Sequence, residues 1–407
     1  MILSNVKKHS KYNVDNFINY LAIIIYIGFF FALIKSYISG AYLGYEWPRN
    51  NFLFQPLDLF NDLRNPLARS GVLEPYPHEG YFPLTFIILQ PLTFFSFKVA
   101  STLFTILFTL AVLTFNYIFI LKNKLTTSRL YLFISLSFFS YPILFCLDRG
   151  NVEIFCFIFI SFFLLFYIKD KINYSIIFLS MAILIKPYMA LYALIFIFKK
   201  NYKNFVFTSI LTTILFFLCL GYFKGGIFVN FIKLNEGLQG ALNFYTTNNY
   251  SWYSSSFSEL VKVIIKESQI CNFYCFDLNE NEFFTISSKL FSFSIALSSL
   301  YVCFKSKYDI TKILLVITIL VIGCTPVSYD YKLILFYIPI YSMLSYTSDF
   351  IENKGKLVFI IIGLILIPKH YYFLDDHLAT SISSFINPFL MVVLLIYVLL
   401  KRNNNAQ

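Results

Sequence analysis

The chain has 407 residues, of which 58% are hydrophobic and only 13% charged, and it carries 51 Phe and 31 Tyr. That composition is far outside the soluble globular range and reads as a polytopic membrane protein. The net charge of +11 would suit a nucleic-acid binder. Its Lys and Arg, however, concentrate in short connectors between apolar runs, the pattern of cytoplasmic loops, and nucleic acid is set aside as a partner.

Residues 1–16 are polar and contain Lys7, Lys8 and Lys11. The apolar run 17–38 is long enough to span and lacks a small-residue cleavage site, so it is expected to be a retained helix, not a signal peptide. Further apolar runs cover 99–121, 130–147, 152–168, 174–185, 188–198, 205–223, 284–304, 312–325, 331–348, 356–367 and 384–400, which makes 12 in all. Several are short against the roughly 20 residues a spanning helix needs. The expected fold is all-α and polytopic, with about that many transmembrane helices in a single domain over 1–407.

The N-terminus and the connectors 122–129, 169–171, 199–203, 305–312, 354–356 and 401–402 hold 18 of the 32 basic residues. They are expected on the cytoplasmic side of a cell membrane, together with both termini. The stretch 82–97 decides this map. It is apolar but only 16 residues long and contains Pro83 and Pro91; were it to cross, Lys122, Lys124 and Arg129 would fall outside. It is therefore read as a juxtamembrane or re-entrant helix in a first external segment, 39–98. The outward face then also collects the turn 148–151, a tight turn at Lys186-Pro187, a second large loop at 224–283, the turn 326–332 and the segment 369–377.

A charge at mid-bilayer costs roughly 2.5–3.5 kcal/mol on insertion scales, so the charges that interrupt these runs need a reason. Asp58 and Asp62 stand at i and i+4, on one face of a short helix, and suit a general base or a metal site; a solvated surface helix is the plainer alternative. What favours chemistry is the company of Arg149, Lys186, Lys332 and Lys369 at the same face. A carboxylate can activate an acceptor hydroxyl while cations neutralise a leaving phosphate. Lys186, fixed by Pro187, is read as a phosphate contact, against simple snorkelling. Arg149 either joins it or pairs with Asp148 or Glu153, and Asn151 either lines the site or caps the next helix. His78 could bind a metal or the acceptor, or be exposed and inert. Trp47, Tyr76, Tyr81, Tyr250, Trp252 and Tyr253 are expected mostly as interfacial anchors, with one or two stacking on sugar. Cys271 and Cys275 share a polar loop at a spacing that permits a disulfide without requiring one. No phosphate-binding glycine loop, zinc-protease or nucleophile-elbow motif is present.

Five stretches carry a family resemblance. Asp58-Leu59-Phe60-Asn61-Asp62 resembles the D-F-x-x-Y motif of a first external loop, with Asp62 in place of the aromatic. Tyr81-Phe82-Pro83-Leu84 with Gln90-Pro91-Leu92 is similar to Y-x-P-P-L, and Gly150-Asn151-Val152-Glu153 to G-Q/N-x-N. Leu184-Ile185-Lys186-Pro187 followed by Lys199-Lys200 resembles a K-P hairpin with a basic end. The segment 325–332, which includes Tyr331 and Lys332, resembles S-P-x-S-W-x-H-H without either His. Together these resemble the polytopic GT-C glycosyltransferases, most closely glycosyltransferase family 87, over roughly residues 18–350. The resemblance implies a polyprenyl-phosphate sugar donor, a lipid or glycan acceptor, and inverting transfer on the outer face without a metal or other cofactor. It implies Asp58 as the catalytic carboxylate, and it sets Asp62, His78, Tyr81, Arg149, Asn151, Lys186, Tyr331 and Lys332 around the substrates.

Two other functions compete. A surface-polysaccharide polymerase or ligase would use 224–283 as its long external loop, but Lys224, Lys233, Lys262 and Lys266 against Glu236, Glu259, Glu267, Asp277, Glu280 and Glu282 give 4 minus 6, or −2. That charge does not suit a grip on pyrophosphate. A secondary transporter would place its helix breaks at the midplane of two related halves. No such halves are visible.

Overall fold

The computed structural model describes residues 14–53, 59–70, 81–122, 124–247, 254–267, 280–305, 309–346, 349–369 and 381–400. Asp58, His78, Tyr76, Tyr250, Trp252, Tyr253, Cys271 and Cys275 lie outside them. The described residues form helices and no strand; one isolated bridge joins Ser254 and Tyr329. This is the expected outcome for a chain whose apolar segments must satisfy their backbone groups internally in lipid.

In chain order the helices are α1 (Val14–Tyr37), α2 (Asn61–Ser70), α3 (Pro83–Leu89), α4 (Phe97–Asn116), α5 (Thr127–Ile134), α6 (Tyr141–Arg149), α7 (Glu153–Ile168), α8 (Ile172–Ile185), α9 (Leu194–Phe198), α10 (Tyr202–Gly221), α11 (Gly226–Thr247) and α12 (Phe257–Glu267). They continue with α13 (Glu280–Lys305), α14 (Ile310–Gly323), α15 (Tyr337–Ser345), α16 (Asp349–Leu366) and α17 (Ser383–Leu400). Their starts follow local chemistry. Pro83 and Pro142 occupy first-turn positions, where a missing N–H costs nothing. Thr126 and Asp309 cap their helices by accepting from the backbone N–H of Arg129, at 3.3 Å, and of Lys312, at 2.8 Å.

The all-α membrane protein fits the structure; the expected number of about 12 crossings is not confirmed. Among the described residues, five segments are long and apolar enough to cross on their own: Phe17–Tyr42, Phe97–Leu121, Thr127–Arg149, Tyr202–Gly221 and Ile286–Phe304. Six further apolar helices among the described residues run only 10–17 residues. The stretch around Pro83 forms α3 and then a 3-10 turn, Gln90–Phe94, entered where Pro91 removes a donor. Those 12 residues span about 20 Å at helical rises, too little to cross. Instead α3 lies against the end of α10, through Phe82 on Phe216 and Phe86 on Phe223.

Contacts between helices sort the connectors to two ends. At one end, Asp15 bonds both Lys124 at 2.6 Å and Arg129 at 3.1 Å. Burial opposes ionisation of Asp15, but these two cations outweigh it and hold the carboxyl below the usual range. Lys354 reaches the Tyr397 carbonyl at the same end. Helices α1 and α16 run side by side in the same direction: Gly355 meets Phe17, Gly363 meets Ile24, and a Cβ on Gly28 would collide with Ile367. Small residues permit this close approach. Farther along the chain, Phe196 packs on Phe163 and Tyr167 near the C-terminus of α7, so the chain has doubled back after Lys186. Lys199 and Lys200 thus rejoin Lys169 and Lys171 at the basic end. The core between the ends buries its polar groups in pairs: Tyr341 donates to Asn116 at 2.7 Å, and Asn116 to Ser137 at 2.9 Å.

Helix α11, inside what reads as a loop, exposes Ile227, Phe228, Val229, Phe231 and Ile232. Its buried Asn230 donates to the carbonyls of Leu220 and Phe223, closing the C-terminus of α10.

Candidate functional site

The ends of α7, α8 and α14 opposite the basic connectors converge on one recess. Their lengths of 16, 14 and 14 residues correspond to about 24, 21 and 21 Å. All fall short of the roughly 30 Å of a hydrocarbon layer, so none of the three is long enough to span one alone. The turns at these ends carry the interrupting charges.

The first cluster joins α2 to the α6–α7 turn. Arg149 forms an ion pair with Asp62, whose other carboxylate oxygen accepts from the Asn151 side chain at 2.6 Å. Both oxygens of Asp62 are thus engaged. The partner of Arg149 is therefore Asp62, and not Asp148 or Glu153 as the local sequence suggests. Asn151 also accepts from the backbone N–H of Glu153 at 2.9 Å, so it lines the site and caps α7 at once. Gly150, at φ +63°, makes the turn possible: a Cβ there would sit 2.8 Å from Phe60 and 2.9 Å from Leu63. The Phe60 backbone N–H donates to the Asp148 carbonyl at 2.9 Å, which pins the start of α2 to the same turn.

The second cluster lies beside it. Lys186 ends α8 in an extended conformation, and its ammonium stands 4.6 Å from the centre of the Tyr81 ring. It has no carboxylate partner among the described residues. Tyr188, in the 3-10 segment Pro187–Ala193, donates its hydroxyl to Glu153. Lys332 places its ammonium 4.4 Å from the centre of the Tyr188 ring and donates to the Val327 carbonyl at 2.8 Å and to Thr325 at 3.2 Å. Glu153, Lys186 and Lys332 all act electrostatically on Cys156, so the three charges share one small volume. Tyr331 flanks it, stacked on Phe145 with 6.1 Å between ring centres.

Lys369 is placed elsewhere. Its ammonium donates to the Ile365 and Ile367 carbonyls at the end of α16 and faces Asp330, which accepts from Ser255 and Asn387. This buried knot ties the 254–256 segment, the 325–332 turn and the start of α17. Among the described residues no group of acidic, His or Cys side chains is gathered to hold a metal ion.

The sequence offers Glu153 as a partner for Arg149 and as the end of the Gly150–Glu153 turn motif, but not as a site residue, and it gives no sign of Tyr188. The available signal was that Glu153 is the sole charge between Gly150 and Lys169. A buried acid in such a run demands a partner.

A polytopic helical protein with cations and carboxylates gathered at one end of its bundle is thus defined. Residues 80–266 match the model of glycosyltransferase family 87. The resemblance read from the motifs is thus supported over those residues, and it points to a glycosyltransferase embedded in a membrane. The matched residues contain Tyr81, Arg149, Asn151 and Lys186 and stop short of Asp58, Asp62, Tyr331 and Lys332. No curated protein matches the chain.

Proposed function

We infer that the protein transfers a sugar from a polyprenyl-phosphate donor to a lipid or glycan acceptor at the outer face of the cell membrane. The acceptor oxygen attacks the anomeric carbon with inversion, its proton passes to the carboxylate of Asp58, and the bond to the phosphate oxygen breaks. Polyprenyl phosphate leaves with the electron pair. No metal takes part in this reading; Lys186 and Lys332 meet the leaving phosphate.

The observation that carries the reading is the state of Lys186: half-buried, held over a tyrosine ring, and free of any described carboxylate, it is a cation available to an anion. The engagement of Asp62 supports Asp58 as the base, since a carboxylate locked by Arg149 and Asn151 is poorly placed to take a proton. Arg149 then orders α2 beside the donor, and His78 and Tyr331 remain as flanking substrate contacts. That the charges cluster at one end of the bundle, and not at its middle, speaks against an alternating-access transporter. Titration of the purified protein with a farnesyl-phosphate hexose tests the reading. Wild type binds, and Lys186→Ala weakens binding roughly tenfold or more; equal binding by the two proteins overturns the assignment of Lys186.

A further inference from the structure

Glu153 is fully buried, and only one of its carboxylate oxygens has a partner, the Tyr188 hydroxyl. Leaving the other oxygen unbonded in the interior costs about 1–3 kcal/mol or more, so the residue is not there to stabilise the bundle. What Glu153 supplies is negative charge. It attracts Lys332, and Lys186 repels Lys332. Beside the Arg149–Asp62 pair, Glu153 offsets one of the two lysines, Lys186 and Lys332, among the described groups of the recess.

This matters because donor and product differ in charge. A sugar phosphodiester carries one negative charge, whereas the phosphate monoester left after transfer carries between about 1.5 and 2 near neutral pH. A recess with two uncompensated lysines would hold the product more tightly than the donor. We propose that Glu153 is a positioning residue that, through Tyr188 and Lys332, limits the positive charge of the recess so that the monoester product is released. The inference rests on the transferase reading above and adds the means by which the site discriminates its two phosphates.

The test uses full-length protein in detergent at about pH 6.5, where the monoester already carries more than one negative charge and Lys332, whose pKa burial lowers to about 7, keeps most of its charge, with farnesyl phosphate as monoester probe and farnesyl methyl phosphate as diester probe. In wild type the two bind with similar affinity. In Glu153→Gln, which keeps shape and an acceptor for Tyr188, the monoester is expected to bind roughly tenfold tighter relative to the diester, the effect of one charge in a partly buried site. Glu153→Asp, which restores the charge, returns the ratio towards wild type. A ratio unchanged in Glu153→Gln, or both probes weakened alike, overturns the proposal, as does Glu153→Asp behaving like Glu153→Gln. Failure of wild type to bind either probe overturns the transferase reading itself and this proposal with it.

Discussion

The ammonium of Lys186 lies 4.6 Å from the centre of the Tyr81 ring, joining the turn after α8 to the start of the juxtamembrane helix. A ring face holds a cation without neutralising it, whereas a carboxylate would compete with the substrate. Removing the face while keeping bulk, in Tyr81→Leu, should weaken farnesyl-phosphate hexose binding roughly two- to fivefold. Tyr81→Phe should stay closer to wild type. Equilibrium titration of both variants checks this, and a larger loss in Tyr81→Phe than in Tyr81→Leu would assign the effect to the hydroxyl.

Asp62 and Arg149 form a partly buried pair, with about one-seventh of each side chain exposed. Residues in direct ion contact couple by about 0.5–3 kcal/mol. Asp62→Ala and Arg149→Ala should each lower the melting temperature in detergent, and the double variant should lose less than their sum. Strict additivity would mean that the pair does not hold α2 in place.

Gly150→Ala is expected to be among the most damaging single-methyl changes in the chain. The new Cβ meets Phe60 and Leu63 at under 3 Å in a left-handed turn. A non-glycine residue forced into that region costs about 1–3 kcal/mol. Thermal unfolding should reveal the loss, and activity should fall with it because the start of α2 hangs from this turn. A melting temperature equal to wild type would show that α2 yields freely.

Much of the fold was legible because lipid-embedded helices advertise themselves. The run 99–121 became α4 with its extension, 312–325 became α14, and 384–400 became α17, each bounded by residues that cannot stay in hydrocarbon. Pro83 and Pro91 correctly marked a short helix and the 3-10 turn that follows it. The pairings were not legible. Arg149 sits beside Asp148 and near Glu153 in sequence, yet bonds Asp62 of α2, because Gly150 turns the chain and brings the earlier helix over it. Tyr188 finds Glu153 only because α7 and α8 form a hairpin whose open end gathers both. Helix α11 was hidden in a segment too mixed in polarity to stand out; it presents an apolar surface around Asn230.

The orientation of the bundle is open to direct labelling. With the basic end cytoplasmic, a cysteine replacing half-exposed Lys124 should resist impermeant maleimide in intact cells and react after permeabilisation. A cysteine at Lys98, exposed near the α3 side, should react without permeabilisation. The reverse pattern would invert the map and place the recess inside.

The most direct measurement is sugar transfer by purified protein from a panel of synthetic polyprenyl-phosphate sugars, comparing wild type, Asp58→Asn and Asp62→Asn. Wild type should transfer one of these sugars. Asp58→Asn should fall by roughly 10²–10⁴-fold, the loss typical of a missing general base, while still binding donor. Asp62→Asn should fall less. Near-normal turnover in Asp58→Asn with abolished turnover in Asp62→Asn would move the base to Asp62, and full activity in both would contradict the transferase account.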